Sequence, residues 1–290
     1  MPDNASAPVT VLCRPARRKF NRRNMTIIIA VTAALFLLAV VVFGCLSGEA
    51  ATTTSFTKKN LAPGWAAPFG TDWLGRDMLA RTLKGLSISI FIGLGASAVS
   101  AFIALVLGAA AALLGGKADA VISWAIDVAL GIPHLLLLIL ISFALGKGAA
   151  GVTVAVAVSH WPTLARVIRG EIVQLKESNY VQIAEKLGHG RFRVARKHLL
   201  PHIFPQFLVG LILLFPHAIL HEAALTFLGF GLSPEQPGIG IILSESMKYL
   251  SLGYWWLAVF PGAALLATVL FFDQLGNSVR RLIDPHSANE

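Results

Sequence analysis

Six long apolar runs, separated by shorter polar segments, dominate this chain. They are Thr26–Leu46, Leu83–Leu114, Val121–Leu145, Val152–Ile168, Ile203–Phe230 and Tyr254–Phe272. A helix needs about 20 mostly apolar residues to cross the hydrocarbon core of a bilayer. The pattern therefore predicts an all-α membrane protein with six transmembrane helices. Composition agrees, since 13% of residues are charged and 56% are hydrophobic. Soluble domains carry about twice that charged fraction.

Charge sets the expected orientation. Lys and Arg are retained on the cytoplasmic side of a membrane. With six crossings and both ends inside, 17 Lys/Arg fall inside and seven outside. The net charge of +9 is thus a topology signal, concentrated in the N-terminal tail and the central loop. Nucleic acid is excluded as a partner on that ground. The expected organisation is a basic cytoplasmic tail over 1–24, a first transmembrane helix over 25–47 and an extracytoplasmic segment over 48–82. A five-helix core over 83–279 follows, with an inward loop at 169–202, and then a cytoplasmic tail over 280–290. The first apolar run is too long for a cleaved signal peptide and reads as an uncleaved anchor. Cys13 and Cys45 offer neither a disulfide framework nor metal-site spacing.

The central loop is the most polar stretch after the first span. Between Arg166 and Lys197 it carries eight Lys/Arg against three Glu. Within it, Val181, Ala184 and Leu187 recur at helical spacing. This predicts a short amphipathic helix on the inner membrane face, ended by Gly188 and followed by a second turn towards a stop at Pro201. The alternative is a solvated basic loop.

Ionisable residues inside spans are costly and mark pathways or partners. His160, His217, His221 and Glu222 are the candidates for a translocation path. His217 and His221 stand four apart, on one helix face. Neutral imidazole suits nickel, zinc or copper, but no metal site is assigned. The alternative is that each His bonds a carbonyl freed by Pro216 or Pro162, or meets a neighbouring subunit. The order H-x-x-x-H-E lacks the H-E-x-x-H arrangement of a zinc peptidase, leaving an intramembrane metallopeptidase as a distant reading.

Several motifs add a family resemblance. Gly188 and the Leu200-Pro201 pair fit the frame (E-A-A)-x3-G-x11-L-P, with Gln182, Ile183 and Ala184 at the E-A-A positions. This resembles the inward signature of permease subunits of binding-protein-dependent ABC importers. Gly70-Thr71-Asp72 with Gly75-Arg76-Asp77 resembles the peptide and nickel branch of those permeases, and its expected role is structural, at the outer mouth. Ser159-His160-Trp161 and the His217/His221 pair look like the nickel-importing members. Glu222–Gly231, EAALTFLGFG, looks like the peptide members too.

The resemblance covers residues 68–286. It implies the type I ABC importer permease fold, with a cytoplasmic coupling helix that docks on an ATP-binding subunit. Gln182, Ile183, Ala184, Gly188, Leu200 and Pro201 would carry that coupling. No G-x-x-x-x-G-K-[ST] loop is present, so ATP and Mg²⁺ are expected on partner subunits, with no cofactor on this chain. The implied partners are a second, non-identical permease subunit, two ATP-binding subunits and an extracytoplasmic solute-binding protein. The implied location is the bacterial cytoplasmic membrane. The expected cargo is nickel or a metal chelate, with a dipeptide or oligopeptide as the alternative.

Overall fold

The computed structural model describes residues 22–283. The basic tail up to residue 21 and residues 284–290 lie outside the described residues. Eleven α-helices follow in order among the described residues. They are α1 Arg22–Leu46, α2 Met78–Leu114, α3 Gly116–Gly131, α4 His134–Ala144, α5 Gly148–Ser159 and α6 Trp161–Lys176. Then come α7 Asn179–Lys186, α8 Arg191–Val194, α9 Leu200–Phe227, α10 Ile239–Leu250 and α11 Trp256–Ile283. The only β pairings among them are isolated bridges, Gly64 with Ala67 and Thr71 with Asp77.

Five helical stretches are long and apolar enough to cross a membrane: α1, α2, α5 with α6, Ala195–Phe227, and α11. α3 and α4 pass the same test only as a pair bent by 97° at their junction, and make a sixth candidate when the pair is counted as one broken span. The sequence presents Val121–Leu145 as one straight span. The break has a local cause: Ile132 precedes Pro133 and is forced into extended backbone, at φ −85° and ψ 134°.

Two further boundaries differ from the apolar runs. α2 begins at Met78 rather than Leu83, because the Asp77 carboxylate accepts a hydrogen bond from the Ala80 amide at 2.8 Å and starts the helix early. Its 37 residues make it about 55 Å long, well beyond the hydrocarbon core. The fourth span runs on through α6 to Lys176, with only His160 between its two helices. α6 is held by its own polar contacts. Arg169 grips Asp119 of α3 with two hydrogen bonds, at 2.5 and 2.7 Å, and Lys176 donates to the Ala112 carbonyl of α2 at 3.0 Å.

α2 is the hub. Its small residues Gly85, Gly93, Ala96, Ser97, Ser100, Ala104 and Gly108 are buried. In lipid, close backbone approach replaces the hydrophobic drive for helix association. At Gly108 the approach is tight enough that a Cβ would stand 2.6 Å from the Ala165 carbonyl oxygen. The core forms three clusters. One joins α2 and α6 to α7 and the start of α9. A second joins α1, α2, α9, α10 and α11. A third, next to the histidines, joins α2, α4, α5 and α9.

Candidate functional site

The segment over residues 169–202 folds back onto the bundle. Val181 and Ala184 of α7 are buried beside Ile168, Ile172 and Val194. Leu187, which shares their spacing, is 73% exposed. It falls outside the buried stripe because α7 ends at Lys186. The ending is a Schellman cap: Gly188 has φ +83°, and the His189 amide reaches back to the Ala184 carbonyl at 3.2 Å. Tyr180, Ile183 and Leu187 remain exposed, an apolar set on a segment outside the spans. Gln182 is also exposed, and its side chain donates to the Glu177 carbonyl at 3.0 Å.

Pro201 does not stop a helix. It lies in the first turn of α9, where a missing amide hydrogen costs little. The preceding residues Ala195–Leu199 form a π-helical turn, with the Leu200 amide bonded to the Ala195 carbonyl. The chain from Ala195 to Phe227 therefore runs as one helical stretch, with Leu200 and Pro201 exposed near its start.

Within the bundle, the four candidate polar residues divide. His160 and His221 come together, with Nε2 of the first 3.3 Å from Nδ1 of the second. His134 joins them, its ring centroid 4.6 Å from each of the other two. His217 is exposed on α9 and is not in the group. Glu222 is fully buried, and its Oε1 accepts a 2.8 Å hydrogen bond from the Thr226 hydroxyl. Its Oε2 is buried with no hydrogen-bond partner.

The histidines do bond backbone carbonyls, but not those the prolines release. Pro162 would free the carbonyl of Val158, and Pro216 that of Ile212. His160 Nδ1 instead lies 2.9 Å from the Val156 carbonyl, and His221 Nδ1 lies 2.8 Å from the His217 carbonyl.

The outer motif closes into a compact latch. Asp72 is its centre: Oδ1 accepts from the Leu74 and Arg76 amides, each at 2.9 Å. Its Oδ2 accepts from Arg76 Nε at 2.6 Å and from Arg81 Nη1 at 2.5 Å. Arg81 Nη2 also reaches Glu245 of α10 at 3.0 Å. Thr71 Oγ1 accepts from the Leu61 amide and donates to the Lys58 carbonyl. Gly70 and Gly75 take left-handed backbone, at φ +72° and +75°. At Gly75 a Cβ would strike the Ser55 carbonyl. The motif thereby ties the segment between α1 and α2 to α2 itself and to α10.

Three residues of these sites were not singled out by sequence: His134, Arg81 and Glu245. His134 was visible only as a polar residue next to Pro133. Arg81 stands four residues after Asp77, a weak local signal. Glu245 lies 164 positions from Arg81, and no spacing rule links them.

A strand-free helical bundle with five to six candidate membrane crossings among the described residues defines a polytopic membrane protein. Comparison with known proteins gives the family. Residues 104–287 match the model of the binding-protein-dependent transport system inner membrane component. The chain belongs to this family, the membrane-spanning permease subunits of ABC importers. It is not itself the ATPase, since ATP hydrolysis in such importers is by separate subunits. It is 32% identical to the dipeptide transport system permease protein DppC of Bacillus subtilis (strain 168), over 98% of this chain and 88% of that one. It is 33% identical to the probable D,D-dipeptide transport system permease protein DdpC of Escherichia coli (strain K12), over 92% and 89%. It is 30% identical to the oligopeptide transport system permease protein OppC of Bacillus subtilis (strain 168), over 94% and 90%.

Proposed function

We propose that the chain is a permease subunit of a peptide importer, carrying dipeptides or short oligopeptides across the cytoplasmic membrane. The supporting observation is near-full-length similarity to three permeases named for dipeptide, D,D-dipeptide and oligopeptide transport. These names favour peptide over the nickel or metal-chelate cargo that His160, His217 and His221 suggest by sequence. The histidine group includes one residue, His134, outside that pattern and omits His217.

In this reading the N- and C-termini are cytoplasmic, α7 faces the cytoplasm and Tyr180, Ile183 and Leu187 dock on an ATP-binding subunit. The Gly188 cap sets the direction in which the chain leaves α7. Because α7 packs on α6 and on α8, which leads through the π-helical turn into the Ala195–Phe227 stretch, a push on α7 reaches the α5/α6 span directly and the next span through α8. A second permease subunit completes the pore, two ATP-binding subunits supply ATP and Mg²⁺, and an extracytoplasmic binding protein delivers peptide to the outer face. The Asp72–Arg81–Glu245 latch holds the outer mouth near α10.

The test is uptake of a radiolabelled dipeptide and of ⁶³Ni²⁺ in cells with the chain deleted and restored. Loss and rescue of dipeptide uptake supports the proposal. Loss and rescue of nickel uptake alone contradicts it.

A further inference from the structure

His134, His160 and His221 come from three different helical segments and meet inside the bundle. His134 opens α4 just after the Pro133 break, His160 occupies the junction of α5 and α6, and His221 lies one turn beyond Pro216 in α9. One ring nitrogen from each falls within 4.8 Å of the other two. Among the described residues this is the one such group of three or more His, Cys, Asp or Glu side chains.

Two of the rings are fixed in the state a metal requires. A carbonyl can only accept, so the Val156 carbonyl at 2.9 Å places the His160 proton on Nδ1 and leaves Nε2 with its lone pair. The Ser159 hydroxyl, 3.0 Å from the same Nδ1, adds a second restraint. The His217 carbonyl at 2.8 Å likewise places the His221 proton on Nδ1, the nitrogen that stands 3.3 Å from His160 Nε2, so His221 would bind a metal through its Nε2. Such backbone bonds on the far nitrogen are how metal-binding histidines are oriented. His134 supplies the third observation: its Nε2 is buried and has no hydrogen-bond partner. Mutual hydrogen bonding between His160 and His221 does not account for that atom.

We propose that these three imidazoles form a site for one borderline divalent transition-metal ion, such as Zn²⁺ or Ni²⁺, resident in the protein rather than carried as cargo. Neutral imidazole suits these ions, and three histidines leave a fourth position open for water or another ligand. At a Zn–N bond of about 2.1 Å, tetrahedral ligand nitrogens stand about 3.4 Å apart. The three ring nitrogens, within 4.8 Å of one another, would close in on the ion to reach that spacing. The ion would staple α4, the α5/α6 junction and α9 to one another.

The test uses the assembled importer, purified through a tag without histidine. Zn²⁺ affinity is measured by competition with a chromophoric chelator, and Co²⁺ is added as a visible-absorption probe. The expected result is one site per chain with the intense d–d bands of low-coordinate Co²⁺. His134→Ala, His160→Ala and His221→Ala each weaken Zn²⁺ binding at least about tenfold. His217→Ala, which keeps the backbone carbonyl, binds as the unaltered protein does. If a variant fails to fold, the unaltered protein still decides. Absence of saturable Co²⁺ bands overturns the site. So does Zn²⁺ binding equal to that of a folded triple variant, or loss of binding in His217→Ala equal to that in the other three. The measurement reads metal directly and does not depend on the identity of the transported substrate.

Discussion

At the scale of single residues, Gly188 and Asp72 carry the sharpest expectations. Gly188 has open space around it, so a side chain there is opposed by backbone conformation and not by a clash. A left-handed φ of +83° costs an ordinary L-residue about 1–2 kcal/mol, Asn less, and a β-branched residue more. Peptide uptake should therefore fall in the order Gly188, Gly188→Asn, Gly188→Val, with membrane insertion unchanged. Equal uptake in all three would show that the cap does not direct coupling. Asp72 and Arg81 have side chains only 3% exposed. Removing Arg81 leaves the buried Asp72 carboxylate with Arg76 as its remaining cation, so the loss stays below the about 3–5 kcal/mol of a fully unpaired buried charge. Thermal unfolding of the detergent-solubilised chain should show Arg81→Ala markedly destabilised, and a melting temperature within a degree of the original would contradict the latch.

At the scale of elements, α7 offers a contrast within two turns. Ile183 and Leu187 are exposed, while Val181 and Ala184 are buried on the side that faces α6 and α8. Ile183→Asp and Leu187→Asp should leave a folded, inserted chain that no longer supports ATP-driven uptake. Val181→Asp should instead lower the yield of folded chain. If Ile183→Asp and Leu187→Asp transport normally, the exposed face of α7 is not the docking surface. Packing of α2 on α6 gives a matching test. Gly108→Leu pushes a side chain into the Ala165 carbonyl and should abolish stable assembly of the bundle, read as a shift to aggregate on size exclusion. Retained monodispersity would mean that α6 has room to move away.

At the scale of the whole molecule, the candidate crossings were legible because lipid demands long apolar runs, and the charge bias of the loops gives their expected orientation. The 97° break between α3 and α4 was not, because an apolar run looks alike whether straight or bent. Pro133 was the visible clue, yet Pro205, Pro216 and Pro261 sit inside helices that continue, so proline alone did not decide it. The amphipathic α7 and its Gly188 ending could be read from spacing. Leu187 was misplaced because its stripe position lies beyond the end of the helix. At the polar core, His160 and His221 were visible as costly residues in spans. His134 was visible only after folding, since α4 brings it to partners that follow it by 26 and 87 positions.

The proposed role, a membrane subunit of an ATP-driven peptide importer, is tested most directly by accumulation of a labelled dipeptide in proteoliposomes. These would contain the purified chain, its partner permease and ATP-binding subunits, and the loaded binding protein. The account predicts dipeptide uptake that requires ATP and is lost when this chain is omitted. Uptake that persists without the chain, or an assembly that moves no peptide while driving another solute, would contradict it.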